Sequence, residues 1–208
     1  MTPEAFAARI PVLWRVSEPG SAEGIRQHGL LTAGQIGART GIDMTARRPR
    51  PVRSNLPDGT PITITDNGPL SLRKLATKLD DGLTPEAWLA MLNDRVFFWP
   101  DRGIGANNAK ARAKMGLGVE WHGFDTRALL GPVWDRAEIA PFNTGATVHD
   151  TPRRGRATFA PLKGLDWEAW RRARRDAGIK TGLDVVREVT VRGGVPHAGE
   201  ALMQVIPG

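Results

Sequence analysis

The stretch that most constrains this chain is Leu92-Asn93-Asp94-Arg95-Val96-Phe97-Phe98-Trp99-Pro100-Asp101-Arg102. A valine and three aromatics run together between two arginines, and a proline stops the run. That is strand composition ended by a breaker. A continuous apolar run of this length suits a strand covered on both faces. Pro100-Asp101-Arg102-Gly103 leaves it as a turn. The expectation is a central strand over 96–99 whose C-terminal end opens into a site. A plain core strand with solvated flanking arginines satisfies the same residues, because buried aromatics ordinarily serve packing.

A chain of 208 residues, 40% of them hydrophobic, supports one domain over 1–208 with a substantial core. No window of about 18 apolar residues exists, so no membrane span is expected. The opening Met1-Thr2-Pro3-Glu4-Ala5-Phe6 lacks a basic region followed by an apolar one, so no secretory signal is expected either. Cysteine is absent, which removes disulfides, thiolate nucleophiles and cysteine metal sites and fits a cytoplasmic protein. A net charge of +7 favours a polyanionic partner, although an arginine-rich proteome gives the same balance. Seven Trp and six Phe stand beside no Tyr, so a planar ligand can stack only on Phe or Trp.

Along the chain, Thr2 and Pro3 open a helix over 3–9, followed by a strand over 12–17, a helix over 21–28 closed by Gly29, and a helix over 33–39. Residues 40–61 are basic and irregular, with Arg47, Arg48, Arg50 and Arg53 among prolines. This is long for a connection without purpose, and reads either as a plain loop or as a substrate-facing insertion with arginine–phosphate contacts. A strand over 62–65, helices over 69–79 and 85–92, the aromatic strand, and a basic helix over 106–115 come next. Strands over 118–124 and 138–142, a helical turn over 126–130 and a short strand over 158–162 follow. A helix over 167–177, capped by Asp166, sets Trp167, Trp170 and Ala173 against Arg171, Arg172, Arg174 and Arg175. Strands over 184–191 and 201–206 complete the pattern. Helices come first and strands later, which predicts an α+β fold with a mixed or antiparallel sheet and flanking helices.

Glu188 lies in Val185-Val186-Arg187-Glu188-Val189-Thr190-Val191. A carboxylate within a β-branched strand is costly unless it is paired or faces a cleft; an edge strand with Glu188 in solvent is the simpler alternative. Asn143-Thr144-Gly145-Ala146-Thr147, directly after a strand, can offer backbone N–H groups and hydroxyls to a ligand, or be an ordinary turn. His28, His122, His149 and His197 are scattered, so no metal is expected. Gly103-Ile104-Gly105 lacks a third glycine, and no Walker sequence or Gly-x-Ser-x-Gly elbow occurs.

Placed in order, these pieces resemble a bacterial ADP-ribosyltransferase-type domain of the DarT/PARP-like kind, through a largely uncharacterised bacterial family. The resemblance rests on Trp14-Arg15-Val16-Ser17, then Ile25 to Leu31 ending in Gly-Leu-Leu, an arginine-rich loop, and Asp66-Asn67-Gly68-Pro69-Leu70. It continues with Leu92 to Trp99 (Leu-Asn-x-Arg-Val-Phe-Phe-Trp), Asn143 to Thr147 (Asn-Ser/Thr-Gly-Ala-Thr), Arg154 to Phe159, and Val185 to Glu188. Nearly the whole chain is covered, and the order of the motifs is more specific than any one of them.

The resemblance implies an ADP-ribosyltransferase-like sheet core and NAD as co-substrate. It makes Arg15 and Glu188 the catalytic residues, with Arg15, Ser17, Phe97, Phe98, Trp99, Asn143 and Thr144 around the cofactor. Arg15 stands where a histidine is commoner in that fold, and no tyrosine is present to stack on nicotinamide. The chemistry suits the residue types. Breaking the ribose–nicotinamide bond builds positive charge on the sugar, and a fixed carboxylate favours that transition state over the ground state. With the basic balance, the expected acceptor is a base in DNA or RNA, with Arg47, Arg48, Arg50, Arg53, Arg153, Arg154 and Arg156 on phosphates. The expectation is then a mono-ADP-ribosyltransferase of toxin or phage-defence type, with a possible neutralising antitoxin. A non-catalytic nucleic-acid-binding module, an RNA 2′-phosphotransferase and a protein-modifying toxin remain open.

Overall fold

The computed structural model describes residues 1–147, 152–176 and 185–208. Helix α1 (Pro3–Arg9) starts at Thr2, whose hydroxyl accepts from the Ala5 N–H. Strand β1 (Val12–Ser17) leads to α2 (Ser21–His28) and α3 (Ala33–Thr40), the latter opened by a reciprocal cap between Thr32 and Gln35. Next come β2 (Val52–Asn55), β3 (Pro61–Ile64), α4 (Leu72–Ala76), α5 (Pro85–Asn93) and β4 (Arg95–Phe98). Asp101 caps α6 (Arg102–Lys114). Strand β5 (Glu120–Asp125), α7 (Thr126–Leu130) and β6 (Ala137–Ala140) precede a two-residue β7 (Ala160–Pro161). The chain ends with α8 (Trp167–Asp176), β8 (Glu188–Arg192), α9 (Ala198–Ala201) and β9 (Leu202–Pro207).

The fold is α+β, and every pair of named strands is antiparallel. Helices and strands interleave from the start; the expected order of helices then strands does not occur. A three-stranded sheet runs β1-β5-β9 and a four-stranded one β4-β8-β6-β7. Both sheets feed one core. Leu13 and Phe124 from the first meet Val96, Phe98, Ile139, Val189 and Val191 from the second, and Phe98 stands edge-on to Phe124 at 5.7 Å. Trp167 and Trp170 of α8 pack against that core, as the 3.6-residue spacing expects. A second cluster gathers Leu70, Leu75, Leu89 and Leu92 around Trp88, stacked on Phe159 at 5.6 Å.

The aromatic strand is not central in its sheet: β4 is an edge of the four-stranded sheet. Its edge is nonetheless used, because Trp99 exchanges backbone hydrogen bonds of 2.8 and 2.7 Å with Trp14 and so carries the chain into β1. The two sheets are joined there, where the run stops at Pro100. The basic segment 40–61 is not wholly irregular either. Its second half supplies β2 and the turn of a hairpin whose other arm, β3, is the strand expected over 62–65; Pro57-Asp58-Gly59 makes the turn, where Asp58 accepts from the Thr60 N–H and Gly59 takes φ +88°. The strand expected over 184–191 begins at Glu188, and Asp184 lies outside the described residues.

Helix α6 crosses the joint at unusually close range. A β-carbon on Gly105 would lie 2.9 Å from the Trp121 ring and 3.0 Å from that of Trp99. Gly105 lets the helix seat there. Seven residues, or two turns, further on, the same buried face carries Arg112.

Candidate active site

A cleft of about 560 Å³ opens where the two sheets join. Arg15 from β1, Phe97 and Trp99 from the aromatic run, Asn143 from the loop after β6, and Glu188 from the start of β8 all line it. Five of the sequence-derived residues thus converge from four segments of the chain. The segments 47–49 and 63–69 and one face of α6 supply much of the remaining wall. A second cleft of about 510 Å³ adjoins it and shares Arg15, Val16, Leu31, Ile36, Thr63, Thr65 and Arg112. The space is therefore two-lobed, with Arg15 and Arg112 at the waist.

Glu188 is 6% exposed. Its Oε2 accepts from the Thr144 hydroxyl at 2.7 Å and the Thr144 N–H at 3.1 Å. Among the described residues no cation lies within ion-pair distance of it, although Arg154 is near enough to be felt. Burial pushes its carboxyl up to about 7, against the pull of Thr144 and Arg154. Such a group gains or loses its proton near neutrality and is set in a cleft, which marks it as a functional candidate.

Arg15 donates to the Phe97 carbonyl at 3.1 Å. Burial, and then the like charge of Arg112, bring its pKa down to about 10, so it stays charged at neutral pH. Phe97 and Trp99 face the cleft, while Phe98 does not: alternation along the strand turns it into the core, with no exposure at all. Phe98 is therefore a packing residue, not a cofactor contact. Thr144 is likewise fully buried and acts from behind Glu188. Ser17 lines the second lobe, away from Glu188.

The seven arginines expected on phosphates divide. Arg154 is 1% exposed, and donates to the carbonyls of Thr144 at 2.8 Å and Ala146 at 3.2 Å. It props the loop that holds Glu188 and is not a surface phosphate ligand. Arg47 donates to the carbonyls of Leu70 and Gly68, and Arg48 to Thr65 and Asn93. Arg53 pairs with Glu18 and Arg153 with Asp80. Arg50 and Arg156 are exposed. Much of the charge read as a nucleic-acid surface thus holds the protein's own chain.

Two residues of the site were missed from the sequence. Arg112 was one cation among Lys110, Arg112 and Lys114 of a basic helix; its signal was its two-turn spacing from Gly105. Glu18, directly after β1, lies in the second lobe and accepts from Arg53 at 3.0 Å and Thr63 at 2.7 Å. Burial raises its pKa, but these hydrogen bonds outweigh that and leave it lowered. His149 lies outside the described residues. No described helix is long and apolar enough to cross a membrane.

Neither the curated proteins nor the solved structures contain a match to this chain. One family model, described as a family of unknown function, matches residues 11–202. That span runs from β1 into the last strand and includes every residue of the cleft. The chain belongs to that family, DUF7002.

Proposed function

We propose that this protein is an NAD-dependent mono-ADP-ribosyltransferase with an ADP-ribosyltransferase-like core, acting on a nucleic-acid base. The observation that carries the reading is Glu188: a buried carboxylate at the start of a strand, held by Thr144 and open to a two-lobed cleft beside Arg15. The order of motifs in the sequence supports the same reading.

In the first lobe, nicotinamide lies along Phe97 and Trp99 and leaves with the bonding electron pair of its link to the ribose. Positive charge grows on the sugar beside Glu188, which is most effective when ionised. Thr144 fixes one carboxylate oxygen, leaving the other toward the sugar. Arg15 holds the phosphates with its planar fork. A nitrogen of the acceptor base then bonds to the sugar carbon and gives up its proton to solvent water. The net charge of +7, with Arg50 and Arg156 exposed and Lys114 on the cleft wall, supports a polyanionic acceptor.

The arginine-lined cleft also suits an RNA 2′-phosphotransferase, which does not depend on a fixed carboxylate. The test is incubation with NAD labelled in its adenylate half and separate pools of single-stranded DNA, RNA and protein. Label on a nucleic-acid pool, lost in Glu188→Gln, is the expected result. Label on the protein pool alone would overturn the acceptor. No label and no nicotinamide release with any pool would overturn the transferase.

A further inference from the structure

The waist between the lobes holds two guanidiniums whose charges are poorly answered. Arg112 is 3% exposed and lines both lobes. Among the described residues its side chain makes no hydrogen bond, and its Nε is buried without a partner. Among the described residues its one ion-pair contact is Glu18 at 3.9 Å, a carboxylate already taken by Arg53 and Thr63, and Asp66 acts on it only from beyond ion-pair distance. Arg15 beside it has, among the described residues, one carbonyl acceptor and no carboxylate in ion-pair contact. A third buried guanidinium shows what full compensation looks like here: Arg95 makes two hydrogen bonds of 2.8 and 3.2 Å to Glu138 and a third to the Met91 carbonyl.

Leaving a buried charge unpaired is costly, and two side by side repel. An anion with several acceptor oxygens would offset both effects at once. A diphosphate has the charge and the bidentate geometry for two planar forks. It also joins two bulky halves, as a waist joins two lobes.

We infer that Arg112, together with Arg15, binds the diphosphate of a two-part nucleotide that spans both lobes. The riboside bearing the scissile bond lies with Glu188, and the adenosine half lies in the lobe lined by Glu18 and His28. The placement of the halves rests on the transferase reading; the anion site itself does not. Glu18 is then a competitor that holds Arg112 loosely when the site is empty.

The experiment is a calorimetric titration of the whole chain with ADP-ribose, ADP, inorganic pyrophosphate and adenosine. Wild type, Arg112→Gln, Arg112→Lys and Glu18→Gln are compared. Arg112→Gln is expected to weaken ADP-ribose, ADP and pyrophosphate by about 10- to 100-fold, and to leave adenosine unchanged. Arg112→Lys keeps the charge without the fork and loses less. Glu18→Gln removes the competitor and binds pyrophosphate more tightly than wild type, a gain that a misfolded variant could not give. Equal binding of ADP and pyrophosphate by wild type and Arg112→Gln overturns the anion site. So does an equal loss for adenosine, or weaker pyrophosphate binding by Glu18→Gln. Arg112-dependent binding of ADP by a protein that leaves NAD intact keeps the anion site and removes the transferase reading alone.

Discussion

Glu138 and Glu188 sit on adjacent antiparallel strands at almost equal depth, 5% and 6% exposed. Their surroundings differ completely. Glu138 is closed by Arg95 on both oxygens, by Arg192 at 3.2 Å and by the Thr190 hydroxyl at 3.3 Å. Glu188 has Thr144 on one oxygen and the cleft before it. Burial alone therefore says little about a carboxylate's purpose. What matters is whether its lone pairs are filled from within. A filled one holds strands together, whereas a half-filled one facing a cavity is available for chemistry. The same contrast separates Arg95 from Arg112.

The comparison breaks most sharply at its closed end. Arg95→Ala leaves Glu138 with its main partner gone, and should cost about 3–5 kcal/mol of stability, read from the urea midpoint. A loss below about 1 kcal/mol would mean that Arg192 alone suffices, and that the two carboxylates are less different than their contacts indicate.

The second effect is on pH. The carboxyl of Glu188 is raised to about 7, so the folded state keeps its proton after the unfolded chain has lost it. Stability tied to this group is full below about pH 4.5 and is lost as pH rises to about 7. The upper bound of that loss is about 3 kcal/mol. Glu188→Gln should abolish this slope and match or exceed wild-type stability at pH 8. Nicotinamide release should run the other way, rising through pH 7 as the carboxylate ionises. A pH-independent rate between 6 and 8 would contradict an ionised Glu188.

A smaller effect sharpens the role of Thr144. Thr144→Val removes one hydroxyl and leaves the backbone N–H. It should cost about 1–2 kcal/mol and move the rising limb of the rate profile to higher pH, because the carboxylate loses a donor. An unmoved profile would assign Thr144 to the loop alone.

Part of this was legible in the sequence, for physical reasons. Glu188 stood out because a carboxylate among β-branched residues demands an explanation, and the cleft supplies one. The strand over 96–99 was readable from composition, and alternation could have separated Phe98 from Phe97 and Trp99. The role of Arg154 was not readable. Arg153, Arg154 and Arg156 are equivalent cations in sequence, and only the carbonyls of Thr144 and Ala146 set Arg154 apart. The first arm of the hairpin escaped because Val52-Arg53-Ser54-Asn55 has little strand composition of its own, whereas the second arm was readable over 62–65; pairing with β3 makes the first a strand. Arg112 was hard to single out because it is one cation among three on its helix, and only its two-turn spacing from Gly105 marks the inward face.

On the proposed function, Glu188 is kept for chemistry and Glu138 for structure. The most direct measurement puts Glu188→Gln beside Glu138→Gln and records the thermal midpoint and nicotinamide release from NAD for each. The predicted result is a Glu188→Gln protein that melts at or above the wild-type temperature at pH 8 and has lost at least about a thousandfold in rate, a loss on the scale of removing one electrostatic stabiliser. Glu138→Gln should melt well below wild type. A Glu188→Gln protein that is strongly destabilised, or that releases nicotinamide at the wild-type rate, would contradict the claim.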